Sequence, residues 1–99
     1  MNSNNNMNSN NMNNDELAIV FKRNNDKDKT QFTIKIICKY DELVKDVFDR
    51  YCFKTNEKKK DLLFFFNSLQ LKENLTVRES GLTNTSIVFV INASGIRGG

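Results

Sequence analysis

The run Leu62 to Leu71, LLFFFNSLQL, decides how the rest of the chain is read. Five apolar, aromatic-rich residues make a strand, and their period of two sends Phe64 and Phe66 one way and Leu63 and Phe65 the other. Asn67-Ser68 is turn chemistry, and the short apolar piece Leu69-Gln70-Leu71 follows it. Upstream lies a charged loop, Lys54 to Asp61. Before it, Leu43, Val44, Val47, Phe48 and Tyr51 recur at helical spacing, which predicts a helix over Asp41 to Phe53 with Asp41 and Glu42 at its acid-favouring end.

Two strands precede the helix. Leu17 to Lys22 (LAIVFK) is rich in strand formers, and the polar stretch Arg23 to Lys29 reads as a hairpin loop. Phe32 to Cys38 then alternates, with Phe32, Ile34, Ile36 and Cys38 on one face. Downstream of the decisive run, Thr76-Val77-Arg78-Glu79 fits a capping box, and Gly81 supplies a left-handed stop. Ser86 to Ile91 (SIVFVI) is the last strand. The order is strand, strand, helix, strand, short strand, turn, strand, which predicts an α+β fold with a mixed sheet packed on one helix.

The chain has 99 residues and net charge +3. Residues 1–14 are only Asn, Ser and Met and cannot bury enough apolar surface to offset the entropy of ordering, so they are expected to be a disordered tail. Residues 15–92 are read as one domain and residues 93–99 as a flexible C-terminal tail. About 85 residues suffice for a core without staples, and all eight phenylalanines lie after Val20.

Composition excludes several functions. With no histidine, His-based metal sites and Cys-His nucleophilic pairs are ruled out, and no carboxylate pair or Gly-rich phosphate loop is assembled. No catalytic residue, metal or cofactor is therefore expected. Cys38 and Cys52 sit in apolar patterns and are read as reduced thiols. Lys58-Lys59-Lys60 is a solvated loop, with no Arg-rich face or stacking motif beside it, so direct nucleic-acid binding is not expected. No apolar run approaches the roughly 18 residues of a membrane span, and the N-terminus lacks the charge and apolar core of a signal peptide.

The order of elements, ending in Gly98-Gly99, resembles the β-grasp fold of the ubiquitin superfamily. Phe64-Phe65-Phe66, the turn and Leu69-Gln70-Leu71 look like the third strand and hairpin of ubiquitin and SUMO. Asn74 to Leu82 (NLTVRESGL) is similar to a SUMO segment, as is Arg50-Tyr51-Cys52 at the helix end, and SUMO proteins also carry an unstructured N-terminal extension. The sequence departs from that pattern in its ubiquitin-like end, Ile96-Arg97-Gly98-Gly99, in a longer first hairpin loop, and in Asp46 where SUMO has a basic residue. Its tail also lacks a lysine for chain growth.

The resemblance implies a SUMO-like modifier. An activating enzyme would adenylate the Gly99 carboxylate with ATP and take it as a thioester, and a conjugating enzyme would pass it to target-protein lysines. Arg97 would contact the activating enzyme, and a processing protease would trim any precursor to Gly99. The groove between the second strand and the helix would receive an extended apolar peptide of the SUMO-interacting type, lined by Ile34, Ile36, Cys38 and Val47 and rimmed by Lys35, Lys39 and Lys54. Phe65, Phe89 and Ile91 match ubiquitin's hydrophobic patch, provided the strand parity is right. A monomer in nucleus and cytoplasm is expected. Two rivals share the pattern: a ubiquitin-related sulfur carrier and a non-conjugated interaction module.

Overall fold

The structure is a computed structural model and describes residues 15–24 and 30–93. The expected 1–14 tail therefore lies outside the described residues, as does most of the expected 93–99 tail.

Strands β1 (Glu16–Asn24) and β2 (Gln31–Lys39) pair antiparallel in the register Ala18↔Ile37, Val20↔Lys35. Helix α1 spans Val44–Thr55, and strands β3 (Leu62–Phe66), β4 (Leu69–Gln70) and β5 (Ile87–Asn92) follow. Strand order across the sheet is β2-β1-β5-β3-β4, with β1 and β5 parallel and the other pairs antiparallel. Between β3 and β4, Asn67 (φ 54) and Ser68 (φ 68) both take positive φ, the combination of a type I′ turn, whose twist matches the strands it joins.

One face of the sheet packs on α1. Leu17, Ile19 and Phe21 of β1, Ile36 and Cys38 of β2, Phe64 of β3 and Val88 and Val90 of β5 meet Val44, Val47, Phe48 and Tyr51 of the helix. Aromatic rings dominate the centre. Phe48 stacks on Phe64 with centroids 3.8 Å apart, and Phe21 stacks on Tyr51 at 4.8 Å. Such pairs add about 1 kcal/mol each to the burial of their surface.

The helix begins three residues later than its periodicity predicts and runs two residues further. The reason is a backbone clamp: the amides of Val44 and Lys45 donate to the carbonyls of Leu75 and Glu73, and those of Val77 and Arg78 donate to Glu42 and Tyr40. The turn at residues 40–42 and the extended Leu43 are thereby held against residues 73–78, and the same bonds satisfy free amides at the helix start where no side chain caps it. At the other end Asn56 takes the left-handed conformation (φ 59) and stops the helix.

The capping box at Thr76 forms reciprocally: the Glu79 amide donates to Thr76 Oγ1 at 3.0 Å, and the Thr76 amide donates to Glu79 Oε1 at 2.9 Å. It closes a turn that Gly81 ends at φ 82. A second correction concerns Arg23, expected in the hairpin loop. It lies in β1, is buried, and pairs with Glu57 at 2.9 Å, while Tyr51 donates its hydroxyl to the same carboxylate at 3.1 Å. This network ties the segment after the helix to the sheet. Residues 25–29 of the expected loop lie outside the described residues.

Candidate functional site

Two surfaces and one chain end were expected to act. The end, Arg97, Gly98 and Gly99, lies outside the described residues. Strand β5, which precedes it, sits between β1 and β3 in the sheet.

The face of the sheet away from α1 is apolar around β5. Phe89 and Ile91 alternate with the buried Val88 and Val90, so they point outward, and they are 48% and 41% exposed. Phe65 faces Phe89 directly across β3 and β5, and Leu63 faces Ile91. Phe65 is half-buried. Phe65, Phe89 and Ile91, with Ile87 and Phe66, line a depression of about 560 Å³ whose rim includes Asn67, Ser68 and Thr85. Three large apolar groups are thus brought to one solvent face, as an interaction surface requires. Ile87 belongs to the same row and has the same parity as Phe89, so period two alone could have added it.

The groove between β2 and α1 is arranged differently from the expectation. Ile36 and Cys38 are each 2% exposed and Val47 is 1% exposed, so all three belong to the core between β2 and the helix and do not line an open groove. Alternation told which side of β2 they occupy, but burial depth is set by the helix that covers that side. Ile34 is half-buried, and Lys35, Lys39 and Lys54 are exposed. The accessible surface of this edge is therefore Ile34, the partly exposed Phe32 and Ile37, and the lysines.

Sequence patterning missed two residues here. Arg50 reaches from α1 to the β2 edge, where its Nη1 donates to the Ile37 carbonyl at 3.1 Å. Its Nη2 pairs with Glu42, and the other Glu42 oxygen accepts from the Lys39 amide at 2.8 Å. Glu42 lies outside the helix, so the two residues form no helical i, i+4 pair, and no sequence rule would have joined them.

Both thiols are titrated upward. Burial, reinforced by the Glu42 carboxylate and partly offset by Arg50, pushes Cys38 from 9.0 to about 11. Burial and the nearby carboxylates of Glu57 and Asp49 raise Cys52 as well. Thiols held protonated in this way are poor nucleophiles and poor metal ligands. Lys59 bridges Asp49 at 2.8 Å and Glu73 at 3.6 Å, and its ammonium is held charged to higher pH chiefly by the Asp49 bond. Among the described residues no helix is long and apolar enough to cross a membrane, and no three His, Cys, Asp or Glu side chains converge on a point that could hold a metal.

No protein-family model and no curated protein matches the sequence. Solved structures do match. The ubiquitin of Caldiarchaeum subterraneum superposes with TM-score 0.68 at 12% identity, over 78% of this chain and 92% of its own. A structure described as molecular mimicry of SUMO that promotes DNA repair gives TM-score 0.62 at 18% identity, over 81% and 95%. A chain of the pParkin-pUb-UbcH7 complex gives 0.68 at 20% identity, over 80% of this chain, which spans only 23% of that longer one. The mixed five-stranded sheet, its strand order and these superpositions together define a ubiquitin-like β-grasp fold.

Proposed function

We propose that this chain is a ubiquitin-like protein modifier of the SUMO type, joined through its Gly99 carboxylate to lysines of target proteins. The observation that carries the proposal is where the di-glycine stands relative to the fold. Gly98-Gly99 comes within seven residues of the end of β5 at Asn92, and β5 itself carries Phe89 and Ile91 on the outward apolar face. In sequence, the di-glycine thus follows the strand that carries the outward apolar face. Glycines at the end suit a carboxylate that must thread a narrow enzyme channel, because a residue without Cβ can lie extended where others clash. The SUMO assignment rests on the strings Asn74 to Leu82 and Arg50-Tyr51-Cys52.

In this role the chain catalyses nothing. An activating enzyme uses ATP to adenylate Gly99, with Arg97 as its charged contact, and then holds the chain as a thioester. A conjugating enzyme completes transfer to the lysine. Phe65, Phe89 and Ile91 offer apolar docking to these enzymes. The β2 edge, with Ile34 and the lysines Lys35, Lys39 and Lys54, offers an extended acidic peptide a place to pair. Work in the nucleus and cytoplasm as a monomer accords with this role.

A second reading is an interaction module that is never conjugated. It is favoured by the likeness to part of a much longer chain in the pParkin-pUb-UbcH7 complex. Deleting Gly99 separates the two. A modifier loses all transfer to substrate while its melting temperature stays unchanged, whereas a module keeps every partner it binds and shows no transfer with or without Gly99.

A further inference from the structure

A strand that adds to the edge of a sheet needs the edge strand's outward-facing amides and carbonyls. On β2 these belong to alternate residues, and the bonds of β1 show which. The Ala18 amide and carbonyl bond to Asn84 and Thr85, and the Val20 amide bonds to Ser86, so these residues turn their polar groups toward β5. Their partners across the register, Ile37 and Lys35, accordingly turn theirs to the open edge. Thr33 and Lys39 share that parity.

The Ile37–Lys39 end of this edge is already occupied from within, and the Lys39 carbonyl also accepts from the Glu42 amide at 3.2 Å. The Ile37 carbonyl accepts from Arg50 and the Lys39 amide donates to Glu42, while Arg50 and Glu42 pair with each other. An acceptor and a donor two residues apart are thus satisfied as an added strand would satisfy them. We propose that the Glu42–Arg50 ion pair is an internal stopper on the β2 edge, and that an extended acidic peptide docks there by taking Arg50 from Glu42. This rests on the reading of the β2 edge as a peptide site.

The choice of an acidic occupant follows from the charges at the edge. Arg50, Lys35 and Lys39 present three cations, and Glu42 neutralises one of them. An uncharged strand that opened the stopper would leave Arg50 without a carboxylate partner. A carboxylate on the incoming strand restores that pairing, so opening costs it less. The exposed pair is weak enough to be exchanged: its side chains keep 43% and 27% of their surface open to water, and such pairs contribute at most about 1 kcal/mol. The stopper therefore selects among partners without closing the site.

The test uses the isotope-labelled full chain and two synthetic peptides, each with a Val/Ile run followed by an aspartate cluster or by asparagines in its place. Glu42→Gln is expected to tighten the aspartate peptide about threefold to fivefold, the equivalent of one exposed ion pair. The Lys39 amide should also exchange faster in the free Glu42→Gln protein. The gain should vanish in the Glu42→Gln/Arg50→Ala double variant. Asp46→Asn removes a carboxylate outside the stopper and should change affinity by less than about twofold. Unchanged melting temperatures establish that the variants fold. If the wild-type chain binds the peptide with shifts along β2 and Glu42→Gln binds no tighter, the stopper is refuted and the peptide site stands. If no variant shows shifts along β2, the peptide site falls and the stopper falls with it.

Discussion

Replacing Ile36 by alanine asks whether the β2 side facing α1 is core or groove. The side chain is 2% exposed among Phe21, Val47 and Tyr51 of the core cluster. The substitution removes three buried carbons, worth ~0.8 kcal/mol each in transfer free energy. The helix and sheet cannot close fully over the space, and the residual cavity raises the loss to about 3–4 kcal/mol. For a domain of this size that corresponds to a melting temperature lower by about 15–25 °C. Urea unfolding followed by far-ultraviolet circular dichroism measures it, with an unchanged slope showing that the midpoint shift is a change in stability. A loss below about 1 kcal/mol would refute the assignment, because it would mean that water or a partner already reaches the side chain.

Glu57→Ala leaves the buried Arg23 guanidinium without its carboxylate and removes the Tyr51 acceptor, so stability should fall by about 3 kcal/mol in the same urea experiment. Glu57→Gln, which keeps an acceptor, should lose less. The domain should also weaken in alkali: because Cys38 titrates near 11 when folded against 9.0 ordinarily, the folded state holds more protons between those values. Its contribution is complete below pH 9.0 and lost as pH rises toward about 11. A Cys38→Ala protein should show a flatter decline in melting temperature across that window.

Much of the fold could be read from local chemistry, and the errors share one physical origin. The bounds of β3 follow from LLFFF, the hairpin from Asn67-Ser68, and the stop at Gly81 from its freedom at positive φ. Each is a decision the chain makes within a few residues. What failed depends on partners distant in sequence. The helix starts at Val44 because residues 73–78 bind the backbone before it. Arg23 enters the sheet because Glu57, 34 positions away, neutralises it. Ile36 and Cys38 are core because the helix covers their face of β2, and Val47 because the sheet covers its face of the helix; periodicity reports side but not depth. Glu42 and Arg50 meet only because β2 and α1 are packed together.

The conjugating role is tested most directly by an ATP-dependent thioester assay on the purified full chain, with SUMO-type and ubiquitin-type activating enzymes in separate reactions resolved on a non-reducing gel. The predicted result is a band of chain plus SUMO-type enzyme that disappears on reduction. A band with the ubiquitin-type enzyme alone would overturn the proposed SUMO assignment while keeping the proposed modifier role. No band with either enzyme, from a chain shown to be folded, would contradict the modifier role.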